Sequence, residues 1–293
     1  MTNSAQASAQ SKTVAVLGTG IIGAAVARNL QKNAFNVNAW NRTYEKATAL
    51  SVSGIEVFEK AEDAVRGASI VLTVLKDGPA VLEAMKAALP GLAKGAVWVQ
   101  LSTVGVKANE ELTSFAEEHG LAFYDAPVQG TRGPAEQGQL IIIASGGLSH
   151  REVIQPIFDA IGKRTLWVSE QSGVSSKLKL ALNSWAFALT HGIAESLSIA
   201  EALGVDPALV VDVVKGGPMD SMYFQLKAAS ILSGDYTVSF SVANAVKDAE
   251  LVVEAAKEAG VKVDAVEAGL NRFNRALQAG HGDKDMAASY LAK

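Results

Sequence analysis

"TVAVLGTGIIGAAVARNLQKN", residues 13–33, decides the fold. Its first five residues are a β-branched run that suits a strand. Glycines follow at 18, 20 and 23, and apolar residues then recur at helical spacing. A strand that bends on glycines straight into a helix opens a β-α-β unit. In such a turn one glycine allows the tight bend. A second lets the backbone approach a pyrophosphate, and a third lets the helix pack close to the strand. The helix N-terminus then offers N–H groups and a positive dipole end to phosphates. A glycine-rich turn without a ligand would use the same letters. The strand before it, the helix after it and the second strand "NVNAWN" (36–41) favour the dinucleotide reading. Gly18, Thr19, Gly20, Ile21, Ile22 and Gly23 are the candidate contacts.

The end of that second strand chooses between dinucleotides. A site for NAD places Asp or Glu about 20 residues beyond the glycines, where it bonds the ribose 2′-hydroxyl. This chain has Asn41-Arg42-Thr43 there. No carboxylate is present to repel a 2′-phosphate. Arg42 offers a planar cation that pairs with phosphate and stacks on adenine, and Thr43 adds a hydroxyl. The residues favour NADP; a permissive site with Arg42 solvated is the plainer alternative.

The alternation continues along the chain. "IEVF", "SIVLTVL" and "AVWVQLS" read as strands, with helical patterns such as "YEKATALSVSG" and "PAVLEAMKAALPGL" beside them. "LAFYDAPV", "QLIIIAS" and "RTLWVS" carry strands to about residue 169. Strands alternating with helices imply a mostly parallel sheet. After Gly173 the strand patterns stop. Residues 174–203 form one proline-free helical pattern, about 45 Å long at 1.5 Å per residue. The fold class predicted is therefore an α/β N-terminal Rossmann-type lobe joined by a long interdomain helix to an all-α C-terminal lobe. The expected divisions are a disordered tail at 1–11, an NADP-binding domain at 12–172 and a helical substrate and dimerisation domain at 173–293.

Composition narrows the function. Of 293 residues, 49% are hydrophobic and 19% charged, which is enough to bury a large core. The net charge of −4 is modest and the basic residues are dispersed, which argues against nucleic acid or a membrane surface as partner. The absence of cysteine excludes disulfides and thiolate chemistry. The first eleven residues lack the apolar stretch of a secretory signal, and no run approaches the roughly 20 apolar residues of a membrane span. A soluble, cytoplasmic protein is expected. The four histidines, His119, His150, His191 and His281, have no metal-ligand spacing, so no metal is expected.

"GVSSKLKLALNSW" (173–185) sets two lysines among leucines. On a helix Lys179 and Asn183 are i and i+4 and share a face. Lys177 falls on another stripe with Ser184, His191 and Ser198, which reads as solvated. Spacing favours Lys179 with Asn183 as a working pair but leaves Lys177 open. Two surface lysines with their stems laid along apolar neighbours would look similar.

"VAVLGTGIIG", "WNRT", "LSTV", "YDAPVQGTRGPAEQGQL", "GVSSKLKLALN" and "VKDAEL" resemble, in this order, the motifs of the β-hydroxyacid dehydrogenases. The resemblance covers nearly the whole chain after residue 12. It looks closest to the branch containing glyoxylate/succinic semialdehyde reductases. It implies an NADPH-dependent reduction of a small aldehyde or keto acid, with Lys179 protonating the carbonyl oxygen as hydride arrives. It implies that Asn183 holds lysine and substrate, that Ser102 faces the substrate, and that Thr103 faces the nicotinamide. Leu75 and Lys76 join the cofactor contacts. Gln129, Gly130 and Thr131 occupy the loop for the substrate carboxylate. Lys247 reaches the cofactor, and Asp248 beside it supports that contact and the substrate.

The chain departs from the family pattern at Gln129, where a serine is usual, and at Gly105, where an acidic residue often stands. Trp185, two residues after Asn183, narrows the pocket if it is not packed in a core. These departures bear on the substrate. An imine reductase acting on C=N has the same architecture, although such enzymes usually replace the lysine. A catalytically silent, NADP-bound sensor is the other reading. Asp125, before Ala-Pro, is expected to organise its loop. "GGPMDSMYFQ" (216–225) reads as core, cleft or subunit contact, and "GHGDKDMAASYLA" as a surface helix. A homodimer is expected, since a long helix and an apolar helical lobe commonly need a partner.

Overall fold

The computed structural model describes residues 13–292. The tail expected at 1–11 lies outside them. The described chain falls into two compact units. One takes the residues up to Thr103 and Ala108–Ser175; the other takes Val104–Lys107 and Ser176 onward.

The first unit carries nine strands: β1 (Thr13–Leu17), β2 (Asn36–Trp40), β3 (Glu56–Phe58), β4 (Ile70–Thr73), β5 (Val97–Gln100), β6 (Ala122–Asp125), β7 (Val128–Gln129), β8 (Leu140–Ser145) and β9 (Gly162–Ser169). They form one sheet in the order β3-β2-β1-β4-β5-β6-β8-β7, with β9 also paired to β8. The pairs from β3 through β6 are parallel. Strands β4 and β5 are buried at every residue, as expected of central parallel strands covered on both faces. The covering helices are α1 (Ile21–Lys32), α2 (Tyr44–Thr48), α3 (Ala61–Val65), α4 (Gly78–Ala88), α5 (Val106–Glu118), α6 (Arg132–Glu136) and α7 (Arg151–Ile161). The pattern "YEKATALSVSG" splits into α2 and a 3-10 turn at Ser51–Ser53.

Beyond β6 the sheet is mixed: β8 runs antiparallel to β6 and β7 and parallel to β9. Asp125 pairs with Ser145, Val128 with Ile142 and Gln129 with Ile141, all in one register. Strands β6 and β7 are thus one line of chain along β8, interrupted at Pro127. Proline has no N–H for the ladder, but its carbonyl still accepts from Ile143 at 3.0 Å. Strand order reverses between β2-β1 and β4, which makes the carboxyl ends of β1 and β4 the switch point where open α/β sheets bind ligands.

The second unit is helical: α8 (Val174–Ala202), whose first two residues belong to the first unit, then α9 (Ala208–Val214), α10 (Met222–Ser233), α11 (Val242–Glu258) and α12 (Asp264–Ala276). Leu180 and Phe187 of α8 pack with Ala245, Ala249 and Val252 of α11 and Phe273 of α12. Further along α8, Ile193 and Leu197 pack with Ala228 and Ile231 of α10. No described helix is long and apolar enough to cross a membrane.

The contacts sharpen four of the sequence readings. Residues 104–107 belong with the helical unit. Gly105 has φ +83°, and a Cβ there would stand 2.8 Å from Leu251; Lys107 pairs with Glu254 and Glu258, each at 2.6 Å. His191, whose place on the Lys177 stripe allowed a structural or a solvated role, is buried. Its ring lies against Phe273 at 4.3 Å, and Gly269 leaves it room: a Cβ on Gly269 would come within 2.3 Å of the imidazole. The C-terminal segment is no surface helix. It is a short 3-10 run, Met286–Leu291, with Met286, Ala287 and Ala288 buried. Asp285 before it makes a buried ion pair with Lys227 at 2.6 Å and accepts N–H bonds from Ser239, Phe240 and Ala287. Finally, Met219 and Met222 are exposed, so of the readings of "GGPMDSMYFQ" the core one does not hold for its methionines.

Candidate active site

The candidate site residues fall into two constellations, one in each unit. In the first, β1 ends at Leu17 and Gly18 turns the chain at φ +105°. Only glycine fits, because a Cβ at Gly18 would stand 2.2 Å from the Val74 carbonyl oxygen. A Cβ at Gly23 would stand 2.0 Å from the carbonyl oxygen of Gly18, so the first turn of α1 rests directly on the loop. Gly20 caps α1 without a side chain, is exposed, and has no protein atom within 4 Å of its would-be Cβ. The N-terminal N–H groups of α1 are thus left bare beside a backbone with nothing above it. These are the features a pyrophosphate needs.

Asn41 ties this turn to the end of β2. Its Oδ1 accepts from the Thr19 N–H at 3.2 Å and its Nδ2 donates to the Thr43 carbonyl at 2.9 Å. Asn41 thereby shapes the loop that holds Arg42 and Thr43, both exposed. Thr19 is buried, and its hydroxyl has no partner among the described residues. On the other side, the Leu75 N–H donates to Ser102 Oγ at 2.8 Å, and the Ser102 hydroxyl reaches the Thr73 carbonyl at 3.4 Å. Ser102 is 4% exposed. Its hydroxyl therefore joins the ends of β4 and β5. Lys76 is exposed and Thr103 half-buried.

Gln129 closes β7 and is half-buried. Gly130 has φ +134°, with Leu140 2.9 Å from its would-be Cβ, and Thr131 precedes α6. Asn29 of α1 anchors α6 through the Ala135 carbonyl at 2.7 Å. Asp125 is fully buried, as its expected organising role requires: Ser175 donates to its carboxylate at 2.7 Å, and Ser145 bonds Ser175 at 2.6 Å.

In the second unit α8 separates the two lysines. Lys177 is exposed, while Lys179 is 8% exposed and Asn183, one turn on, 6%. Asn183 Nδ2 donates to Asp248 Oδ2 of α11 at 2.9 Å. The other oxygen of Asp248 pairs with Lys247. Asp248 is 2% exposed and lies against Asn183 as a buried acceptor. The partnership was not visible in sequence because 65 residues separate the two. Burial pulls the Lys179 ammonium down to about 8; the Asp248 carboxylate opposes that and the Lys247 cation adds to it.

Trp185 is 65% exposed, so it does not pack in a core. An apolar hollow lined by Leu180, Ala181, Ser184, Val252, Ala255 and Val263 lies on the side of α8 away from Lys179. Among the described residues no group of three or more His, Asp or Glu is arranged to hold a metal.

Comparisons with known proteins agree with this division. Residues 13–169 match the NAD binding domain of 6-phosphogluconate dehydrogenase, and residues 173–292 match the NAD-binding domain of NADP-dependent 3-hydroxyisobutyrate dehydrogenase. The chain is 30% identical to glyoxylate/succinic semialdehyde reductase 1 of Arabidopsis thaliana, over 94% of this chain and 96% of that one. A crystal structure of 3-hydroxyisobutyrate dehydrogenase from Salmonella typhimurium superposes with a TM-score of 0.87 at 23% identity, covering 96% of this chain and all of that one. An imine reductase from a Pseudomonas species shares the fold at a TM-score of 0.61 and 23% identity, over 96% of this chain and 99% of that one. The chain belongs to the β-hydroxyacid dehydrogenase family of nicotinamide-dinucleotide-dependent oxidoreductases.

Proposed function

We propose that this protein is an NADPH-dependent reductase of a small aldehyde or keto acid, with Lys179 as the proton donor. The observation that carries the reading is Lys179 itself. A lysine seldom lies buried. This one does, one turn from an asparagine that bonds a buried carboxylate. The nicotinamide ring supplies the hydride. Lys179 Nζ gives its proton to the carbonyl oxygen and, as an ammonium in a site of low polarity, stabilises the developing alkoxide. Its value of about 8 keeps it mostly protonated at neutral pH, ready to donate, and makes it a base for the reverse oxidation above that pH. Asn183 holds the lysine and substrate in register. The glycine turn Gly18–Gly23 takes the pyrophosphate, and Arg42 with Thr43 the 2′-phosphate. Leu75, Lys76, Thr103 and Lys247 complete the cofactor contacts. Gln129, Gly130 and Thr131 receive the substrate carboxylate, and exposed Trp185 borders the substrate. Ser102 faces the substrate, and its Oγ also fixes the Leu75 backbone.

The test is turnover of NADPH with glyoxylate, with succinic semialdehyde and with a cyclic imine, for the wild type and Lys179→Met. Carbonyl reduction that disappears with Lys179 supports the assignment. Carbonyl reduction that survives overturns it, and turnover of the imine alone makes the protein an imine reductase.

A homodimer accompanies this reading. Ile199, Leu203, Leu209, Val213, Met222 and Leu226 of α8 to α10 are exposed, more apolar surface than scattered single residues would explain. Light scattering on the purified protein gives the mass. A monomer at micromolar concentration would remove this proposal and leave the enzymatic one intact.

A further inference from the structure

Arg132 opens α6, directly after Gln129, Gly130 and Thr131. The chain is held on both sides of it. Before it, Val128 and Gln129 pair with Ile142 and Ile141 of β8. After it, Ala135 is buried and its carbonyl accepts from Asn29 of α1 at 2.7 Å. Between them Gly130 turns at φ +134° against Leu140 and Pro134. The backbone of Arg132 is thus fixed, and its charge is not. Its side chain is half-buried, and its Nε is shut off from solvent with no hydrogen-bond partner among the described residues. No described carboxylate pairs with it, not even Glu136 one turn on. The two terminal nitrogens are not closed in with Nε, so their fork stays open to solvent. Arginine is charged at any working pH. A partly desolvated guanidinium without an anion costs free energy, and an orphaned buried donor in a folded chain calls for an explanation.

We infer that Arg132 is a specificity-determining residue whose open fork pairs with the substrate carboxylate, so that the enzyme takes carboxylate-bearing aldehydes or keto acids in preference to uncharged aldehydes. The inference rests on the reading above, in which Gln129, Gly130 and Thr131 receive that carboxylate. The side chains of this loop are an amide, a hydrogen and a hydroxyl, none of them charged. Arg132 is the cation nearest to them in sequence. Two parallel N–H···O bonds from a guanidinium fork give a carboxylate direction as well as charge, which a lysine would not. Because no protein carboxylate competes for Arg132, a substrate carboxylate meets its whole charge. An uncharged aldehyde or a cyclic imine gains nothing from it.

The experiment compares succinic semialdehyde with butanal, which has a methyl group in place of the carboxylate, at saturating NADPH. Arg132→Met is expected to lower kcat/KM for succinic semialdehyde about ten- to a hundredfold, chiefly through KM, the usual worth of hydrogen bonds to a charged group. Butanal is expected to escape that loss. Inhibition by succinate, a carboxylate with no carbonyl to reduce, should weaken to the same degree and needs no turnover of butanal to be read. Arg132→Lys, which keeps the charge without the fork, should recover part of the affinity, and NADPH affinity measured by fluorescence shows that each variant is folded. An unchanged KM for succinic semialdehyde and unchanged inhibition by succinate overturn the inference and make Arg132 a hydrated surface residue. An equal loss for butanal and succinic semialdehyde also overturns it, since Arg132 would then support the fold or the cofactor. Carbonyl turnover retained by Lys179→Met would instead overturn the reading beneath it.

Discussion

The glycine turn of the first unit and the lysine cluster of the second solve opposite problems. The turn is made of backbone. Its specificity lies in what is missing, since a single methyl at Gly18 or Gly23 meets a carbonyl oxygen near 2 Å. The cluster is made of side chains, and Lys179, Asn183 and Asp248 are each at least nine-tenths buried. Here the constraint is charge. The turn tolerates changes of pH and no change of volume, whereas the cluster responds to every change of charge. A reductase needs both behaviours: a rigid cradle for a cofactor of fixed shape, and a group whose proton is held loosely enough to give away.

The contrast can be broken most directly at Lys179. Lys179→Met is expected to lower carbonyl turnover by about 10²- to 10⁴-fold, the usual worth of a general acid, while NADPH affinity measured by fluorescence stays the same. Affinity that falls in parallel would mean that the cluster is part of the cradle. Gly18→Ala tests the other side. It should cost stability on the order of 3 kcal/mol, seen in thermal unfolding, and abolish NADPH binding, while the Lys179 titration midpoint stays in place. Arg42→Ala is a smaller change. NADPH affinity should fall about ten- to a hundredfold and NADH affinity hardly at all; an equal loss for both would place Arg42 outside the 2′-phosphate site.

The pH dependence sharpens the comparison further. Reductive turnover should decline as pH rises through about 8, where Lys179 loses its proton, and oxidation of the hydroxy acid should rise over the same range. NADPH affinity should not share that midpoint. The smallest effect concerns His191. Burial, with Arg272 and Arg275 nearby, holds its imidazole down to about 4, and neither ring nitrogen has a hydrogen-bond partner among the described residues. An unfolded histidine takes up its proton near 6.5 and the folded one only near 4, so stability is full above 6.5 and falls as pH drops between the two. His191→Leu should flatten that fall, worth on the order of 2 kcal/mol at pH 4, in urea unfolding followed across pH. An unchanged profile would assign the acid sensitivity elsewhere.

Much of the second unit was legible for Lys179 and illegible around it. Helical geometry separated Lys179 from Lys177, and the structure buries one and exposes the other. The same geometry left His191 undecided, because the stripe it shares with Lys177 runs under α12 farther along α8. A face exposed at one end of a 29-residue helix is covered at the other. The C-terminal segment was misread for a related reason: Asp285 looks like one more surface charge until Lys227 of α10 is brought to it.

What the sequence determined by itself is local. Period-two and period-3.6 patterns, together with glycines that no other residue could replace, fixed the β1–turn–α1 unit, the α/β-to-helical change near residue 173 and the i, i+4 pairing of Lys179 with Asn183. Tertiary structure alone decided which polar groups lose their water. Asp248 stands 65 residues from Asn183, and only the packing of α11 on α8 turns it from a surface carboxylate into the buried acceptor of this cluster. Desolvation depends on neighbours distant in sequence, and it is desolvation that brings a lysine into the range where it can work as an acid.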